Sequence, residues 1–304
     1  MLFRVGAMAP ASPFVGDVLD GDVALVTGGG SGIGFEIALQ LGLHGARLLL
    51  LGRRLPVLEA AKKSLSARGI QVEYAHGDVR SPDDAAKAVN LAVERFGKLS
   101  ILVNSAAGNF LAPAELLTSK GFRTVLEIDT LGTFNMCHAA FPALKRSSSE
   151  KSVIINISAT LHYGATWYQS HAAAAKAAID SLTRSLSLEW GPIRVNGIAP
   201  GPIADTAGWE KLSVGVDSAA SVRSREEIVE KTPAGRVGTT WDVAMAAVFL
   251  ASSAGSWITG ETIVVDGGNW LYYPPALPAD AVAGASRAVE ASSRRVGVPE
   301  RSKL

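Results

Sequence analysis

The segment Thr27-Gly28-Gly29-Gly30-Ser31-Gly32-Ile33-Gly34 constrains this chain more than any other. It follows an apolar run of strand length, Val23–Thr27, and leads into a helical pattern from about Ile33 to His44. Glycines at such a junction let the backbone take positive φ and approach a neighbour without a Cβ in the way. The helix that opens there presents unpaired N–H groups, which suit a pyrophosphate. A glycine cluster alone marks only a turn. At the first strand-to-helix junction of a longer β/α alternation it marks a dinucleotide site.

That alternation is present. Arg47–Leu51, Val72–Ala75, Ile101–Asn104, Val153–Ser158, Arg194–Ile198 and Thr262–Val265 are further short runs, and the charged stretch Leu55–Ala67 has helical spacing. Most runs are apolar on both pleat faces, as strands buried between two helix layers must be. The pattern predicts an α/β fold: a single doubly wound Rossmann-type domain, its parallel sheet flanked by helices and joined by right-handed crossovers. The domain is expected over 17–271, after an N-terminal arm, 1–16. Beyond it, 272–304 carries Pro274, Pro275, Pro278 and Pro299 among many Ala, Ser and Arg, which predicts a flexible tail with a short helix near Ala279–Ala291.

Composition removes several classes. A formal net charge of +1 gives no broad field for nucleic acid or anionic membrane. Runs such as Leu48–Leu51 are far too short to span a bilayer. The one cysteine, Cys137, reads as a small buried apolar residue. No cluster has metal-ligand spacing, so no metal is expected.

The second strand ends in Gly52-Arg53-Arg54. A carboxylate there would bond the ribose hydroxyls of NAD; two guanidinium groups instead suit a 2′-phosphate, so NADPH is the expected cofactor. Gly28, Gly30, Ser31, Gly32, Ile33 and Gly34 are expected at the pyrophosphate, and Arg53 and Arg54 at the 2′-phosphate. Asp78, after the third strand, is placed to meet the adenine amino group. Asn104–Gly108, with Ala106 at its centre, uses small residues that let a cofactor lie close.

The order of these pieces, with Lys176 in a helix, Arg194–Pro202 (RVNGIAPGP) and Asp266-Gly267-Gly268, resembles the short-chain dehydrogenase/reductase family over nearly the whole domain. The resemblance adds Val79, Lys176, Pro202, Ile203 and Thr206 to the expected cofactor contacts and implies a homo-oligomer, dimeric or tetrameric. The chain departs from the family where its chemistry lies. The usual tyrosine, four before the lysine, is Ala172; the usual serine falls at Ala159; the usual asparagine falls at Asp129. The enoyl-carrier-protein reductase variant, with tyrosine seven before the lysine, has Gln169 there instead.

Asn109-Phe110, Ile128–Phe134, Ile157–Leu161, His171 and Glu189–Pro192 resemble one subgroup, the peroxisomal 2,4-dienoyl-CoA reductases, which also lack the tyrosine and have aspartate at the matching position. Their chemistry explains the loss. A ketone reductase must protonate an alkoxide as it forms. A dienoyl thioester takes hydride at Cδ, spreads charge to the thioester oxygen, and needs its proton at Cα. The resemblance implies that Asp129 and Lys176 are catalytic, with Asp129 holding or feeding a water and Lys176 supplying positive potential. Fatty acyl-CoA is then the substrate, with Phe110 and Asn109 beside the acyl end and Arg80 and Lys211 toward the CoA phosphates. The segment 204–222 is expected to form a mobile substrate loop. His162 and Tyr163 are placed to line the pocket, while Trp167 and Tyr168 are expected to pack. His171 lies ~140° around the helix from Lys176, too far to replace the tyrosine. A reductase of another conjugated or carbonyl substrate, or a non-catalytic NADP-binding protein, remains the alternative.

Ser302-Lys303-Leu304 is a peroxisomal targeting tripeptide. It implies a peroxisomal import receptor as partner and the peroxisomal matrix as compartment.

Overall fold

The computed structural model describes residues 11–147, 152–204, 206, 209, 225–275 and 278–292. Seven strands form one sheet: β1 (Val23–Thr27), β2 (Arg47–Gly52), β3 (Val72–His76), β4 (Ile101–Asn104), β5 (Val153–Ile157), β6 (Arg194–Pro200) and β7 (Thr262–Val265). Their order is β3-β2-β1-β4-β5-β6-β7, with every neighbouring pair parallel. The chain winds outward from β1 to β3, then returns to pair β4 on the other side of β1. The reversal opens a crevice at the carboxyl ends of β1 and β4, the place where doubly wound sheets bind ligands.

Helices cover both faces. On one lie α1 (Gly32–Leu43), α2 (Leu55–Ser66) and the helix Thr240–Ala251; on the other lie α3 (Pro82–Phe96), α5 (Gly132–Arg146) and α6 (Ser170–Glu189), with α4 (Ser119–Leu126) leading into α5. We call Thr240–Ala251 α7. The sequence of α1, GIGFEIALQLGL, is apolar almost all round because the helix lies between the sheet and α7. The helix α3 is instead amphipathic, capped by the Ser81 hydroxyl, which accepts from the Asp84 N–H, and closed by Gly97 at φ +84°. Strands β1, β4, β5 and β6 are buried throughout, whereas β3 and β7, at the edges, are only partly so.

The chain divides into two compact units, Met1–Trp270 and Leu271–Leu304. The second contains α8 (Ala279–Ser292). Lys211, most of the expected substrate loop and Ser302-Lys303-Leu304 lie outside the described residues. No helix among the described residues is long and apolar enough to cross a membrane.

Candidate active site

The glycine turn adopts the conformation its sequence predicts. Gly28 has φ +65°, and a Cβ on it would stand 3.0 Å from the Ser105 carbonyl. A Cβ on Gly34 would stand 2.6 Å from the Gly28 carbonyl oxygen, so the start of α1 can pack on the turn only as glycine. The Ser31 side chain does not cap α1, and the first turn of that helix has no acidic residue. Its leading N–H groups are therefore left to an anion, which fits a dinucleotide pyrophosphate. The Thr27 hydroxyl accepts the N–H groups of Ser105 and Ala106, both at 3.0 Å, and so ties the β4 loop to the β1 turn.

Around this turn the charged residues form a chain. Arg54 donates to the Ser31 hydroxyl at 3.2 Å. Arg53 lies 4.0 Å from the Asp78 carboxylate. Arg80 grips the same carboxylate through Nε and Nη2, the latter at 2.6 Å. The Arg80 hydrogen bond holds the Asp78 carboxyl below its ordinary range. Arg80, expected at a CoA phosphate, is thus engaged with Asp78 here. Val79 is buried, and Asn135 of α5 donates to its carbonyl at 3.1 Å. On the far side Ile203 is buried in an isolated bridge to Gly238; Pro202 accepts the Gly238 N–H at 3.1 Å, and the Thr206 hydroxyl donates to the Ile203 carbonyl at 3.2 Å.

The catalytic candidates meet in the interior. Between α4 and α5 the helix widens into a π-turn, Glu127–Leu131, which carries Asp129 toward α6. Asp129 is 1% exposed. Its Oδ1 accepts the Gly108 N–H at 2.6 Å, and its Oδ2 lies 3.0 Å from Lys176 Nζ. That second contact is an ion pair off the hydrogen-bond direction, and among the described residues no donor hydrogen-bonds to Oδ2. Lys176 also donates to the Ile157 carbonyl at the end of β5, at 3.0 Å. Buried amides brace this arrangement. Asn104 donates to Asn156 at 2.9 Å, and Asn156 to the Thr183 hydroxyl at 2.9 Å, linking β4, β5 and α6.

Ala172, at the place of the missing tyrosine, is buried. His171 is fully buried, with its ring centroid 4.3 Å from that of Phe110. Burial lowers its pKa and favours the neutral imidazole. His162 is held by the Asp180 carboxylate at 2.8 Å, and the Tyr163 ring stands edge-on to it. Burial, followed by the Asp180 charge, pushes the Tyr163 phenol up to about 12. Cys137 is wholly buried and its thiol is pushed up to about 12 by desolvation.

Trp167 and Tyr168 correct the sequence reading. They do not pack: they are 82% and 52% exposed. The chain turns sharply there, with Tyr168 at φ +61°, and throws both rings outward. Sequence reasoning also missed three partners: the Gly108 N–H, the Ile157 carbonyl and Gln169. The first two are backbone groups and leave no trace in residue types. The third had a signal, its position seven before Lys176.

Comparisons with known proteins identify related sequences and folds. The sequence model of a family described as enoyl-(acyl carrier protein) reductase matches residues 28–269. An Arabidopsis thaliana protein described as a peroxisomal 2,4-dienoyl-CoA reductase, (3E)-enoyl-CoA-producing, is 54% identical, over 96% of this chain and 99% of that one. A Mus musculus protein of the same description is 43% identical, over 86% and 88%. Among solved structures, a short-chain dehydrogenase/reductase from Brucella melitensis superposes with a TM-score of 0.76 at 33% identity, covering 84% of this chain and 98% of that one.

Proposed function

The chain belongs to the short-chain dehydrogenase/reductase family, and we propose that it is an NADPH-dependent 2,4-dienoyl-CoA reductase forming a (3E)-enoyl-CoA. The observation that carries this reading is the buried Asp129–Lys176 pair, in a site where Ala159 and Ala172 replace the hydroxyl groups of carbonyl reduction. The descriptions of the relatives support it independently. When bound, the nicotinamide supplies hydride for Cδ of the diene.

The chain's own residues then have separate tasks. Lys176, fixed by the Ile157 carbonyl and Asp129, supplies the positive potential that favours charge on the thioester oxygen. Asp129 Oδ2 keeps an acceptor direction that can hold a water; that water gives a proton to Cα, and the hydroxide left behind takes a proton from solvent. No hydroxyl donor beside an oxygen is required, because the final proton goes to carbon. Arg53 and Arg54 carry the preference for the 2′-phosphate of NADPH.

We place this activity in the peroxisome, as the relatives' descriptions and Ser302-Lys303-Leu304 suggest, where it would prepare unsaturated acyl chains for β-oxidation. The test is to follow NADPH oxidation with 2,4-hexadienoyl-CoA and identify the product by mass and NMR. A 3-enoyl-CoA is expected. Tight NADPH binding without turnover would overturn the proposal and favour a non-catalytic member or a different substrate.

A further inference from the structure

The loop after β4 carries Phe110, 38% exposed, without belonging to any helix or strand of its own. Something must hold it, and the contacts converge on one short stretch. Asn109 Nδ2 donates to Gln169 Oε1 at 2.6 Å. The Ala112 N–H donates to the Tyr168 carbonyl at 2.9 Å. The Phe110 ring lies on that of His171 and passes over Gly121 of α4, where a Cβ would stand 3.1 Å from its tip. The segment 108–112 is thus clasped by 168–171, the entry to α6, while the Gly108 N–H is held by Asp129.

The clasp has a defined polarity. Asn109 Oδ1 accepts the Phe110 N–H at 2.8 Å, which turns its amide nitrogen toward Gln169. Gln169 is 8% exposed, so water competes little for this bond. Gln169 does not cap α6; its amide is spent on the loop. Tyr168 adopts φ +61°, which an L residue enters only when its surroundings require it. Its carbonyl is thereby aimed at the Ala112 N–H.

We propose that Gln169 is a positioning residue: through Asn109 it sets the angle at which Phe110 meets the acyl chain, and so controls affinity for the dienoyl thioester rather than the hydride step. This rests on the dienoyl-CoA reading above. It gives the position seven before Lys176, where the enoyl-carrier-protein reductase variant places its tyrosine, a task without any contact to the reacting atoms.

Polarity supplies the test. Gln169→Ala removes the acceptor, and KM for 2,4-hexadienoyl-CoA is expected to rise about tenfold, with kcat and the Kd for NADPH nearly unchanged. Gln169→Glu keeps an acceptor for Asn109 and restores most of the affinity. Asn109→Asp also retains the clasp, because the Gln169 amide can flip and donate. The double variant Asn109→Asp/Gln169→Glu sets two carboxylates face to face, and its KM is expected to exceed the product of the two single effects by about tenfold or more. Hydrogen exchange of the NADPH-bound proteins reads the clasp without any substrate: the Phe110 and Ala112 amides lose protection in Gln169→Ala and in the double variant, and keep it in each acidic single variant. Wild-type KM in Gln169→Ala, or purely additive single effects, would overturn the proposal. Absent turnover by the wild type, the exchange pattern still decides the clasp while the substrate reading fails alone.

Discussion

Replacing Asp129 by asparagine separates the two things that this residue does. Its Oδ1 accepts the Gly108 N–H at 2.6 Å and its Oδ2 pairs with Lys176 at 3.0 Å. Asparagine keeps a carbonyl oxygen for Gly108 but removes the charge and turns an amide N–H₂ toward the ammonium. Lys176 is then left with the Ile157 carbonyl at 3.0 Å. Removing one partner of a buried ion pair costs roughly 3–5 kcal/mol. At roughly 2–4 °C per kcal/mol for a domain of this size, Tm should fall by about 6–20 °C. A second change, Lys176→Met in the same chain, removes the stranded charge and should recover part of the lost Tm. Rate should not recover with it. On the proposed proton route, loss of this carboxylate is expected to lower kcat about 10²–10⁴-fold. The assay pairs thermal unfolding with NADPH oxidation on 2,4-hexadienoyl-CoA. A kcat for Asp129→Asn near the wild-type value would refute the proton route. Equal Tm in wild type and Asp129→Asn would refute the charge coupling.

Four further outcomes are expected. Gly34→Ala drives a Cβ to 2.6 Å from the Gly28 carbonyl; NADPH affinity, read by fluorescence titration, should fall about tenfold or more as the turn shifts, and unchanged affinity would mean the cofactor does not use this turn. Arg53→Ala and Arg54→Ala together should lower the NADPH-to-NADH ratio of kcat/KM about tenfold or more; an unaltered ratio removes their role. His171 is held neutral by burial, below its ordinary value of 6.5. The unfolded chain therefore binds the extra proton first, so stability is fully present above about pH 6.5 and is lost on acidification by up to about 1.4 kcal/mol per pH unit. His171→Phe should flatten the Tm-against-pH curve between pH 6.5 and the lowered folded value, and an unchanged slope would contradict this. Deleting Ser302-Lys303-Leu304 from an N-terminally tagged chain should move it from peroxisomes to the cytosol, as seen by microscopy.

What was legible in the sequence follows from how far each signal reaches along the chain. The glycine turn and the apolar strands are local patterns, and β1, β2, β4 and β5 lie within a residue of where their runs predict them. Lys176 was legible as a candidate because a single lysine in one helix matched the family pattern. The Asn109–Gln169 bond joins groups 60 residues apart, and nothing local in either marks the other. The π-turn that aims Asp129 inward is likewise invisible, since Glu127–Leu131 has ordinary helix formers around it. Trp167 and Tyr168 misled for a related reason: their composition suggests a core, but one left-handed residue decides where both rings point.

The losses at Ala159 and Ala172 and the gain at Asp129 are one change in electrostatics. An ammonium buried as deeply as Lys176, 7% exposed, costs much to take out of water unless a carboxylate is paired with it. A neutral phenol would share its hydrogen bond but not its charge, and would keep a proton beside oxygen. A carboxylate neutralises the lysine outright and leaves a lone pair for water. It does so while holding the Gly108 N–H, the first residue of the segment that Gln169 clasps at its other side. Charge balance at Lys176 and the placement of Phe110 therefore meet in Asp129. A carbonyl-reducing tyrosine reintroduced at position 172 would still find the lysine already paired with Asp129. For that reason Ala172→Tyr alone should not restore ketone reduction, and measurable turnover of a simple ketone by that variant would count against this account of the site.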